Sequence, residues 1–142
     1  MELHQALYFS RANVPDTPDQ MNEILAISQS NNAASGLTGF LHREKNHFVQ
    51  FLEGPKTPLH ETLARIGRDG RHREFQILQH GPAESRFLPD WKMGVFDPDQ
   101  VRLYEMLDLG TEDLDLTAID PFDLIVMLVS NAQCMRTRLG AE

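Results

Sequence analysis

LTGFLHREKNHFVQFLEG, residues 37–54, holds the pattern from which the fold is read. LTGFLHR reads as a strand, REKN as a polar turn, and HFVQFLEG as a second strand, so the two form a hairpin. In the second strand Phe48, Gln50 and Leu52 point one way, while Val49 and Phe51 point the other. Apolar residues on both faces mean that both faces are covered.

Working upstream, Gly36 closes a helix running from about Thr17 to Asn32. Thr17 is placed to cap it, Pro18 suits the first helical position, and Gln20 completes a capping-box spacing. Met21, Ile24, Leu25 and Ser28 share one face, and Asn31 and Asn32 continue it. Before that helix, LHQALYFSR (3–11) reads as a strand with Leu3, Leu7 and Phe9 on one side and His4, Ala6, Tyr8 and Ser10 on the other.

Downstream, Thr57 and Pro58 repeat the cap-plus-proline signature ahead of a helix with Leu59, Leu63 and Ile66 at core spacing, ending near Gly70. Residues 74–80 read as a fourth strand and 91–96 as a short fifth carrying Trp91 and Met93. Residues 99–109 suit a short helix, and Asp120-Pro121 opens a last helix through about Leu139. The order is β-α-β-β-α-β-β plus two helices. This predicts an α+β, ferredoxin-like sheet with two helices on one face. The two C-terminal helices are expected on the other face, with residues 1–96 as the core and 97–142 as a helical cap of the same domain.

Composition narrows the function classes. The 142 residues suit one domain, and 41% hydrophobic content suits a packed core. A formal net charge of −8 disfavours nucleic-acid backbones and anionic membranes as partners. Cys134 is the only cysteine, so no intramolecular disulfide forms. The start of the chain lacks a signal-peptide pattern and no apolar run is long enough to span a bilayer, so a cytoplasmic protein is expected.

Several residues carry chemistry. Gln50 stands mid-strand between apolar neighbours; either it satisfies itself on nearby backbone, or its amide serves a site. Tyr8 is either an ordinary core residue or a buried hydroxyl with a partner. Asn31 and Asn32 are either helix-end caps or, with Ser28, an amide-bearing stripe suited to a planar heterocycle. Arg65 and Asp69, four apart, are either a surface ion pair or polar groups at a cleft's end. No G-x-G-x-x-G or P-loop is present, and the six histidines have no recognised metal spacing. Glu53, before Gly-Pro at a strand end, reads as structural.

Taken together, LYFSR, ISQSNNAASGLTGFL, FVQFLEGP, RIGRDGRH and RFLPDWKMG resemble the BLUF family, sensors of blue light using FAD, in order and spacing over residues 3–95. The resemblance implies the same fold, with FAD held between the first two helices. Ile24 and Ile66 would wall the flavin ring. Ser28, Asn31 and Asn32 would face its edge, Arg65 and Asp69 would sit near its pyrimidine end, and Arg71 and His72 would add polar contacts. Tyr8 would give an electron and a proton, Gln50 would relay the proton and rearrange, and the strand bearing Trp91 and Met93 would pass the change to the C-terminal helices. Output would be light-dependent contact with a protein partner or self-association, without enzymatic turnover. The family's Ile-Thr-Gly is here Leu37-Thr38-Gly39, and its Asp-Pro-Arg-His is Asp69-Gly70-Arg71-His72, which loosens a helix end. Two other readings stand beside this one: a light-insensitive interaction module, and an acylphosphatase-like enzyme using Arg11 and Asn13.

Overall fold

The computed structural model describes residues 2–13, 18–44, 47–87, 94–95, 120–126 and 129–130. The order is β1 (Leu3–Ala12), α1 (Pro18–Ser35), β2 (Thr38–Glu44), β3 (His47–Pro55), α2 (Lys56–Gly67), β4 (His72–Pro82) and β5 (Gly94–Val95). The strands form one sheet ordered β4-β1-β3-β2-β5. β1 runs antiparallel to β3 and β4, and β2 antiparallel to β3, which is the split βαβ plan expected from the element order. β5 adds to the β2 edge in parallel.

β3 is buried from His47 through Gly54, as a central strand covered on both faces must be. One face carries Ala6, Tyr8, Leu41, Phe48 and Leu52, on which Leu59 and Leu63 of α2 and the half-buried Ile24, Leu25 and Ile66 pack. On the other face Leu7, Phe40, Val49 and Phe51 are completely buried. Phe87 stacks on Phe51 with ring centroids 5.9 Å apart. Residues 121–126 are helical, and their Leu124 and Ile125 are fully buried outside the cluster beneath α1 and α2. Each such apolar side chain contributes about 1.5–3 kcal/mol by leaving water. The expected helix at 99–109, the Thr17 cap, and the side chains of Trp91 and Met93 lie outside the described residues.

Local chemistry explains the junctions. α1 ends with Gly36 at φ 72° and the Leu37 N–H bonded to the Asn32 carbonyl at 2.9 Å. This is a Schellman closure, and the left-handed position suits glycine. The helix therefore runs three residues past the expected end at Asn32. α2 begins earlier than the Thr57-Pro58 pair suggests. Pro55 stands at its N-cap in an extended conformation (φ −60°, ψ 144°) with no side-chain capping bond. β3 passes straight into the helix, and Thr57 and Pro58 occupy its first turn, where a missing N–H costs nothing. β4 is longer than expected, reaching back to His72. Its pairing with β1 is irregular between Phe9 and Arg11, opposite Glu74 at φ 56°. Such a bulge re-aims side chains, and here His72 meets Ser10 across the strands.

Candidate functional site

Tyr8 and Gln50 lie directly opposite one another in the two central strands, so their side chains share a face. Both are buried, at 4% and 3% exposure. The Tyr8 hydroxyl donates to Gln50 Oε1. Gln50 has a further interaction beside this one. The Tyr8 ring is wedged against Phe75, with centroids 4.9 Å apart. Burial, and next the Asp69 carboxylate, push the phenol well above its ordinary value of 10.0, so Tyr8 keeps its proton at neutral pH.

These two residues form the floor of a cleft between α1 and α2. A cavity of about 80 Å³ is lined by Tyr8, Ile24, Leu41, Phe48, Ile66 and His72 among others. It adjoins a second, of about 260 Å³, whose lining includes Asn31, Asn32, Leu52, Thr62 and Arg65. Ser28, Gln50, Ile66, Asp69 and Arg71 border both. Together the two reach the lower end of small-molecule sites, roughly 300 Å³. Asn32 is 3% exposed, so the amide that closes the apolar stripe of α1 is buried. Ile24, Ser28, Asn31 and Ile66 are half-buried along the walls.

At the far end Arg65 and Asp69 both border the cleft, and the alternative of a surface ion pair between them is not what forms. Asp69 lies beyond the end of α2, and no Arg65–Asp69 ion pair forms. A rigid i, i+4 spacing needs both residues on the helix, and α2 stops at Gly67. Asp69 instead accepts from the Arg71 backbone N–H and Nη1, each at 2.9 Å. Arg71 Nη2 reaches Glu23 on α1 at 2.9 Å, tying α1 to the turn after α2. Arg65 is exposed at the rim. His72 Nε2–H donates to the Ile66 carbonyl, which leaves Nδ1 to accept from the Ser10 hydroxyl at 2.6 Å. His72 thus presents its ring to the cavity and its nitrogens to the chain.

Phe48 and Leu52, which the strand pattern puts on the face of Gln50, line the site, as do Leu41, Thr62 and, through Arg71, Glu23, which the sequence does not mark. Leu41 was within reach, because hairpin register places it opposite Gln50. Glu23 gives no such signal, since it sits on the exposed side of α1. Glu53 is completely buried, and its Oε1 accepts from the Phe87 N–H at 2.9 Å, a structural role as expected. Arg11 and Asn13, on which the acylphosphatase-like reading depends, are engaged elsewhere. Arg11 Nε pairs with Glu74 at 3.0 Å, and Asn13 Nδ2 donates to the Gly70 carbonyl at 3.1 Å.

The residues fit a flavin ring. Ile24, Leu41, Phe48 and Ile66 supply apolar walls, and buried Asn32 and Gln50 supply amides to a polar edge. Comparison with known proteins agrees. Residues 3–94 match the family described as BLUF, sensors of blue-light using FAD. The dark-state structure of BlrB, a BLUF protein, superposes with a TM-score of 0.77 at 30% identity, covering 93% of this chain and 97% of that one. The photoactivated adenylate cyclase subunit beta of Euglena gracilis is 30% identical over 93 residues, which are 64% of this chain and 11% of that protein. The blue light- and temperature-regulated antirepressor of Escherichia coli is 29% identical over 121 residues, 80% of this chain and 29% of the relative. The chain thus spans about a tenth to under a third of these two curated relatives.

Proposed function

The chain belongs to the BLUF family of blue-light sensors, and from that premise we propose that it binds FAD between α1 and α2 and signals by rearranging the Tyr8–Gln50 hydrogen bond. The observation that carries this reading is the buried donation from Tyr8 to Gln50 Oε1 at the floor of the cleft. FAD, when bound, supplies the blue-light absorption and the electron sink.

The protein supplies a proton path and a switch. A phenol that loses an electron holds its proton far more weakly, and here an acceptor already faces that proton. The proton passes from Tyr8 Oη to Gln50 Oε1 as Gln50 Nε2 gives up one of its own, which the bound cofactor would take up together with the electron, so that the amide stays neutral. Gln50 then turns a donor toward a neighbour that met a lone pair before, because a side-chain amide offers both kinds of group. Asn31 and Asn32 hold the polar ring edge, Ile24 and Ile66 exclude water, and Arg71 locks the end of the cleft through Asp69 and Glu23. Arg65 is free to meet the part of the cofactor that leaves the cleft.

The sheet offers a route outward. Ile77, Tyr8, Gln50, Leu41 and Val95 form one lateral row across all five strands. A change in the Gln50 side chain therefore sits one strand from Leu41, whose other neighbour is Val95 of β5. β5 directly follows Trp91 and Met93, so the row supports a relay through that strand into the C-terminal cap, residues 97–142. The receiver is a protein partner or a second copy of the chain, contacted in a light-dependent way. The relatives named as a cyclase subunit and an antirepressor support a role in controlling other proteins.

The test is an absorption spectrum before and after a blue flash, with Gln50→Ala alongside. The expected wild type is yellow, shifts slightly to the red, and relaxes in darkness, while Gln50→Ala binds flavin without the shift. A colourless protein that rejects added FAD would end this reading and leave the interaction module in its place.

A further inference from the structure

We propose that His4, His60 and His80 form a binding site for one divalent transition-metal ion, best matched to Zn²⁺, on the edge of the molecule away from the Tyr8–Gln50 pair. His4 comes from β1, His60 from α2 and His80 from β4. They share no sequence spacing, yet one ring nitrogen from each lies within 4.8 Å of the others. β1 and β4 place Ala6 opposite His80, so His4 and His80 stand on one sheet face, and α2 brings His60 down over them.

The three rings are close: centroids are 4.5 Å apart for His60–His80, 5.8 Å for His4–His80 and 6.0 Å for His4–His60. His60 Nε2 and His80 Nε2 face each other at 2.5 Å. His4 is 5% exposed, and neither of its ring nitrogens has a hydrogen-bond partner. Glu2 Oε2 approaches His4 Nε2 at 3.1 Å without the alignment of a hydrogen bond. A buried imidazole whose Nδ1 has no partner and whose Nε2 meets only the exposed Glu2 carboxylate is poorly satisfied, at about 1–3 kcal/mol for an unpaired buried polar atom, and a metal ion would relieve that cost.

The chemistry selects the ion. Neutral imidazole suits borderline transition metals, and three histidines leave a fourth tetrahedral position for water or for Glu2. Zn–N bonds of about 2.1 Å set ligand nitrogens roughly 3.4 Å apart. The widest pair, within 4.8 Å, closes by at most about 1.4 Å, and the His60–His80 pair at 2.5 Å opens by about 0.9 Å, movements open to the exposed side chains of His60 and His80. His60 and His80 also line the open groove between α2 and β4, which provides an entry path. A bound ion would clamp β1, β4 and α2 together.

The test is zinc titration of the purified full chain by calorimetry, with His60→Gln and His80→Gln. Both residues are exposed, so neither substitution opens the core. Wild type is expected to bind one Zn²⁺ per chain and to melt at a higher temperature with zinc present. Each variant is expected to bind more than the roughly 100-fold more weakly that loss of even an outer-shell partner can bring. Co²⁺ should give tetrahedral d–d absorption in the wild type alone. Absence of stoichiometric zinc binding, or equal affinity in the variants and the wild type, would overturn the proposal. Neither outcome depends on flavin, since none of the three residues lines the cleft.

Discussion

Replacing Tyr8 with phenylalanine removes one oxygen and tests both the energetics and the function of the central pair. The ring contacts with Phe75 and His72 survive, so no cavity larger than a hydroxyl opens. Gln50 Oε1, buried with its residue, loses the donor that Tyr8 supplies. The loss is then that of a hydrogen bond whose buried acceptor is left behind, about 1–3 kcal/mol, or roughly 3–5 °C in Tm per kcal/mol for a chain of this size. The pH dependence adds a second signature. The Tyr8 value is raised on folding, so its contribution is fully present below pH 10 and falls as pH rises above it. For a single proton the wild type should lose about 1.4 kcal/mol by pH 11 relative to Tyr8→Phe. Urea unfolding of both proteins at pH 8 and pH 11 measures the two quantities. Flash spectroscopy measures the third: Tyr8→Phe should bind flavin and show no red-shifted state. A persistent red shift in Tyr8→Phe would refute the proton route, and parallel pH profiles would refute the buried, protonated phenol.

The remaining predictions concern the walls and frame of the cleft. Asn32→Ala removes a buried amide and should weaken FAD binding about 10–100-fold, measured by equilibrium dialysis, with unchanged affinity counting against Asn32 as a ring contact. Arg86 donates to Thr38 Oγ1 at 2.8 Å and to the Gly36 carbonyl at 2.7 Å, pinning the segment before β5. Arg86→Ala should cost about 1 kcal/mol and speed hydrogen exchange at residues 83–87 without changing the dark flavin spectrum. A Cβ at Gly39 would stand 2.1 Å from the Phe51 carbonyl oxygen, so Gly39→Ala should lower stability by more than the roughly 1–3 kcal/mol of ordinary overpacking. A Gly39→Ala protein with wild-type urea midpoint would show that β2 and β3 can separate there.

Local periodicity determined much of this protein. The alternation of 3–11 and 47–54 places Tyr8 and Gln50 on strand faces, the stripe of α1 assigns Ile24, Ser28, Asn31 and Asn32 to one side, and the element order implies the split βαβ sheet. These are properties of short segments, in which period and turn residues carry the information. Tertiary structure decided who meets whom. Only strand register sets Tyr8 against Gln50, and Leu41 against both Gln50 and Val95. The stop of α2 at Gly67 takes Asp69 off the helix and gives it to Arg71, where the sequence offered Arg65 at helical spacing. The same packing gathers His4, His60 and His80 from three elements with no motif to announce them. Spacing along the chain records neighbours only within one element, whereas a site assembled across a sheet and a helix depends on contacts between residues 20 to 70 or so positions apart, which no local pattern encodes.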